Sequence, residues 1–132
     1  MDFAEALKWY RKAADQGHAD AQNKLGIMYA RGQGVPSDIT EALRLFHNSA
    51  AQDNAWACDS LGYAYLQGKG VPQDNVEAYR WYSIAVARFD ALGSKHHGWA
   101  LSQLQNVADK LTAAERAAAQ KIAQDWKPIA SQ

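Results

Sequence analysis

The chain has 132 residues, 48% of them apolar, and its 14 Lys and Arg balance its 14 Asp and Glu. That is length for one core and hardly for two, and without a basic excess neither nucleic acid nor an anionic membrane is an expected partner. A single cysteine, Cys58, excludes an internal disulfide framework, and no run approaches the ~20 apolar residues of a membrane span.

The first element is announced by Asp2, with Glu5 three residues on, the spacing of an N-terminal capping box. Phe3, Ala6, Leu7, Tyr10, Ala13 and Ala14 follow the i, i+3, i+4, i+7 rule, so this helix expects neighbours on more than one side. The opening Met1-Asp2-Phe3-Ala4-Glu5 has no basic and then apolar export signal, and the chain as written reads as soluble and unexported. A second helix is expected around Ala21, Leu25, Met28 and Tyr29, ending at Gly32 in a left-handed cap. Gly34, Val35 and Pro36 make the turn, and Asp38 with Glu41 starts a third helix.

The pattern then repeats 36 residues on. The segment LGIMYARGQGVPSDITEALRLF from Leu25 returns at Leu61 as LGYAYLQGKGVPQDNVEAYRWY, with eleven of 22 positions identical; residue frequencies alone would give about one or two. Fixed-period self-similarity means a stacked array of helix pairs. Residues 2 to 17 match 38 to 53 at six of 16 positions, so the chain opens on the second helix of a unit. Either this is part of a longer array, or the open end packs on another chain through Phe3, Leu7 and Tyr10. Met1 need not be the natural start, and an upstream signal, if removed, would make the compartment periplasmic or extracellular.

The far end departs from the repeat. The helix from Asp74 carries Ala78, Tyr79, Tyr82, Ala85, Val86 and Phe89 on one face and meets no breaker before Gly93, so it should outrun its relatives. Ser94 is expected to cap a helix through Trp99, Leu101, Leu104 and Val107 to about Leu111. Thr112 with Glu115 starts a last helix whose face is Ala119, Ile122, Ala123 and Trp126, with Pro128 just past its end. This pair has lost the Gly-Val-Pro turn and reads as a terminal cap.

The recurring residues Ala21, Leu25, Gly26, Tyr29, Gly32, Gly34, Val35, Asp38 and Ala42, then Ala57, Leu61, Gly62, Tyr65, Gly68, Gly70, Val71, Asp74, Ala78, Trp81 and Tyr82, resemble the Sel-one-like repeat, a relative of the tetratricopeptide repeat. Asp2, Ala6, Trp9, Tyr10, Ala13 and Ala14 supply the half unit, and the final pair resembles the closing helices of bacterial members. The resemblance implies an all-α, right-handed α-solenoid of antiparallel helix pairs, about seven helices, in one domain over 1–132. Its parts are a half repeat (2–17), two repeats (18–53 and 54–93) and a capping pair (94–128). Leu45 and Phe46 stand in for Trp and Tyr, and Asp53, or Asn54 after it, must take the left-handed conformation of Gly17. Such repeats chiefly serve as adaptors and scaffolds, so a non-catalytic module binding a protein or peptide is implied, with self-association as the alternative. The family has cysteine-rich, secreted members with affinity for β-lactams, but this chain lacks their cysteine pairs, and that activity is not carried over.

Most motif residues have structural roles. Gly26 and Gly62 sit mid-helix, where glycine costs about 1 kcal/mol relative to alanine, which fits a neighbouring element passing too close for a Cβ. Leu25, Tyr29, Leu61, Tyr65, Trp9 and Trp81 are expected in the core. By analogy with tetratricopeptide arrays, the first helix of each unit lines the concave face, leaving Asp20, Asn23, Ile27 and Arg31 free, with Trp56, Asp59, Tyr63 and Gln67 at the equivalent positions. Trp56 and Tyr63 have the character of interface anchors; the alternative is that Trp56 packs on the helix from Asp74 or on the Trp99 helix. Adjacent His96 and His97 point about 100° apart and cannot share a metal as an i, i+4 pair would. They, like His18 and His47, read as solvated or helix-end residues, and Cys58 as a small buried thiol. No catalytic group, metal site or cofactor site is expected.

Overall fold

The computed structural model of the chain describes residues 2–126. Through them run seven α-helices and no strand: α1 (Phe3–Asp15), α2 (Ala19–Arg31), α3 (Ile39–Ala50), α4 (Ala55–Gln67), α5 (Asn75–Ala91), α6 (His97–Ala108) and α7 (Ala113–Asp125). The α2/α3 and α4/α5 hairpins are the two complete units, α1 packs on α2, α3 on α4, and both α6 and α7 lie on α5. The architecture is the expected all-α solenoid. None of the described helices is long and apolar enough to cross a membrane.

The starts of α1, α3, α4, α5 and α7 are fixed by side-chain oxygens that accept from otherwise orphaned backbone N–H groups. Asp2 accepts from Glu5 at 2.8 Å, Asp38 from Glu41 at 3.1 Å, and Asp74 from Val76 and Glu77 at 3.0 and 3.1 Å. The reciprocal bond of a full capping box forms at Thr112 and Glu115. Glu41 and Glu77 instead turn to Arg44 and Arg80, one turn along their own helices. Gly32 and Gly68 close α2 and α4 in the left-handed region, and Asp53 takes it at φ 68°. The Asp53 carboxylate accepts from Arg88 at 2.9 Å, tying that corner to α5.

Within each unit the two helices meet where a side chain is missing. A Cβ on Gly26 would lie 2.7 Å from the Phe46 ring, and one on Gly62 would lie 2.9 Å from the Tyr82 ring. The apolar surface collects into contiguous clusters, the largest joining α3, α4 and α5 around Phe46, Leu61, Trp81 and Phe89. Leu25, Leu61 and Trp81 are buried as expected, and Tyr29 and Tyr65 partly so. Trp9 is the correction, because it is 60% exposed. Its register is that of Leu45 and Trp81, which face the unit before their own: Leu45 clusters with Leu7 and Ala14 of α1, and the Trp81 ring meets His47 of α3. No described element covers that side of α1, and the Trp9 ring is exposed, with the Lys12 ammonium 5.9 Å from its centroid. Leu7 is buried and Tyr10 half-buried against α2, so of the three α1 residues expected to lack cover only Phe3 does.

At the far end α5 runs 17 residues, longer than its relatives. The following helix differs from the expectation, because α6 begins at His97 and ends at Ala108. Ser94 accepts from the His96 N–H at 3.1 Å within a turn instead of capping a helix, and the His96 ring, at the N-cap position, is stacked among aromatic rings and makes no capping bond. On α7, Ala119 is buried and Trp126 meets Trp81 edge-on at 6.0 Å, whereas Ile122 points outward. Pro128 lies outside the described residues.

Candidate functional site

On α4 the i, i+3, i+7 spacing of Trp56, Asp59 and Tyr63 sets them along one side of the helix. That side faces α2, and the two helices run parallel as first helices of adjacent units. Near their N-termini Asn54 donates to Asp20 at 2.6 Å, and further along Ser60 donates to Asn23 at 3.1 Å. Between them lies a groove of about 470 Å³. Ile27, Ala30, Ile39, Leu43, Phe46 and Ala64 give it an apolar floor, Trp56, Tyr63 and Trp99 an aromatic wall, and Arg31, Lys69 and Asp59 its charges.

The expected face and this groove largely coincide. Asn23, Ile27, Arg31, Trp56, Asp59 and Tyr63 line it, whereas Asp20 and Gln67 do not. Asp20 is taken up by its bond to Asn54, and Asn23, though in the lining, is buried and engaged with Ser60. Tyr63 is 44% exposed, with the Lys69 ammonium 5.3 Å from its ring centroid. Trp56 answers both descriptions given to it. It is 45% exposed in the groove, yet its ring also meets Phe89 of α5 edge-on at 5.0 Å and stacks on His96 at 4.2 Å.

Trp99 also lines the groove, and His96, outside the lining, packs against its aromatic wall; neither was expected at the site. His96 is neither solvated nor at a helix C-terminus: its ring sits between Trp56 and Trp99, 4.8 Å from the latter. Burial holds its pKa below the usual histidine value. Its Nε2 lies 3.8 Å from Asp59 Oδ2, too far for a hydrogen bond. Asp59 is the one carboxyl among the described residues of the groove lining, its side chain only 13% exposed and its Oδ1 buried without a hydrogen-bond partner. Burial disfavours the charged form and pushes its pKa up to about 7. The Cys58 thiol, fully buried next to it in sequence, is pushed up to about 12, chiefly by desolvation, which leaves it protonated and inert at neutral pH.

The Ser60 hydroxyl lies between Asn23 Oδ1 and the Trp56 carbonyl, at 3.1 and 3.0 Å, instead of on a base. Among the described residues no three His, Cys, Asp or Glu side chains gather as metal ligands would. What the groove offers is apolar area, aromatic faces and one buried acid.

Comparison with known proteins agrees with the repeat seen in the sequence and the fold. The Sel1 repeat model matches residues 2–18, 19–54 and 57–88. A crystal structure of a protective antigen present in uropathogenic Escherichia coli strains, displaying an SLR fold, is similar at 30% identity and a TM-score of 0.82, over 92% of this chain and 25% of that one. A Sel1 repeat protein from Oxalobacter formigenes is similar at 35% identity and a TM-score of 0.64, over 91% of this chain and 55% of that one. The chain thus spans about a quarter and about half of these two proteins. No curated protein matches the sequence significantly. With three repeats matched along most of its length, the chain belongs to the Sel1 repeat family, whose members generally act as protein-interaction scaffolds.

Proposed function

We propose that this chain is a non-catalytic interaction module and that the groove between α2 and α4 holds a segment of a partner protein. The observation that carries this reading is the convergence of an apolar floor with the half-exposed rings of Trp56 and Tyr63 in one open groove. Aromatic side chains with large contact area and a polar edge dominate the energetics of such interfaces. The groove follows α2 and α4 from Trp56 to Lys69, a course that suits an extended chain segment.

The test is selection of peptides from a random dodecapeptide library on the wild-type protein, followed by binding to Trp56→Ala/Tyr63→Ala. Both rings are partly exposed, so helical content should be kept while groove-bound peptides lose at least tenfold in affinity. Selected peptides that bind the double variant as tightly as wild type would place recognition elsewhere.

A second reading has its own observation. Phe3 and Trp9 are both more than half exposed on α1, a surface that a second copy could cover. Sedimentation equilibrium across a wide concentration range tests it, and a constant monomer mass rejects it.

A further inference from the structure

The groove carries its charges at opposite ends. Because α2 and α4 run parallel, Arg31, the last residue of α2, and Lys69, two residues past the end of α4, share one end. Asp59 and Trp56 lie in the first two turns of α4, and Trp99 joins them from α6. From Asp59 to the end of α4 the helix rises roughly 12 Å, so the two ends are separate environments for a bound chain.

The acid end is unfinished as a self-contained structure. Asp59 Oδ1 has no hydrogen-bond partner, and the nearest cationic candidate to Oδ2 is His96 Nε2 at 3.8 Å, itself buried and unpartnered. His96 is a poor countercharge, because desolvation disfavours its protonated ring. A buried carboxylate without a countercharge is costly to keep unless something supplies one. The walls around it, Trp56 and Trp99, are 45% and 44% exposed, and indole faces attract cations.

Resting on the groove reading above, we propose that the bound segment presents a lysine or arginine side chain to Asp59, its alkyl stem against the rings of Trp56 and Trp99. Arg31 and Lys69 repel a second cation at the far end, so this basic residue has one seat in the groove. A guanidinium or ammonium there donates to Oδ2 and brings a countercharge to the carboxylate whose Oδ1 is buried without a donor, and the aromatic wall covers the stem.

The library selection described above also tests this proposal. Peptides that depend on Trp56 and Tyr63 should carry Lys or Arg, and replacing that residue by citrulline or norleucine should weaken binding to wild type at least tenfold. Asp59→Asn, which keeps the size of the side chain, should weaken the parent peptide by a similar factor. In that variant the further change to citrulline should cost little, since its partner charge has gone. Groove-dependent peptides without a basic residue, or with one whose replacement changes nothing, would overturn the proposal and leave the interaction reading standing. If no selected peptide depends on Trp56 and Tyr63, the interaction reading fails and this proposal with it.

Discussion

Asp59 makes a prediction that needs no ligand. In the unfolded chain its carboxyl titrates near 3.8, whereas in the folded protein burial raises it to about 7. The folded state therefore holds the proton more tightly, so the stability linked to this group is fully present below pH 3.8 and is lost as pH rises through 7. Between pH 5 and pH 8 that loss comes to roughly 2–3 kcal/mol. For a domain of this size it corresponds to a change in Tm on the order of 10 °C. The Asp59→Asn variant leaves an equally buried polar group but removes the titration. It should thus be more stable than wild type at pH 8, with the advantage shrinking as pH falls toward 5. His47 and His96, whose charged forms burial disfavours, add an acid-side loss of stability to both proteins. For that reason the quantity to compare is the difference between the two. Urea melts at half-unit pH steps give it directly. A difference that stays constant within about 0.5 kcal/mol from pH 5 to pH 8 would mean that Asp59 is hydrated or paired, and would remove the physical basis for a cation in its place.

Further predictions concern the stack. Gly62→Ala gains about 1 kcal/mol of helix propensity, but its Cβ falls 2.9 Å from three atoms at the base of the Tyr82 ring, which cannot swing away as a chain end would. Overpacking costs about 1–3 kcal/mol, so urea denaturation should show a net loss; a gain would mean that α4 and α5 separate easily. Trp9 and Trp81 occupy the same register with opposite exposure. Trp81→Ala should cost about 3–5 kcal/mol, while Trp9→Ala should stay within about 0.5 kcal/mol, and equal losses in thermal melts would contradict the exposed position of Trp9.

The repeat was legible because its determinants are local and recur. Asp-to-N–H caps, left-handed C-terminal glycines and apolar residues at helical spacing each specify backbone geometry within a few residues, and the 36-residue period supplies them repeatedly in phase. The exposure of Trp9 was hidden because the motif describes what a residue does inside a stack, while exposure depends on the neighbour on the other side. The α5–α6 connection was hidden for a related reason. Ser94 has the chemistry of a helix cap, but the stacking of His96 between Trp56 and Trp99 sets where α6 can begin, and that is a contact between residues 40 apart in the chain. The same contact separates the two halves of the candidate site. Trp56, Asp59 and Tyr63 could be read from one helix, as positions that the packing pattern leaves free. Their significance could not, since it needs Trp99 of α6 in the same groove and His96, just before α6, set near Asp59 without a hydrogen bond to it. The terminal cap, which looked from the sequence like a closure for the stack, thus also builds one end of the groove.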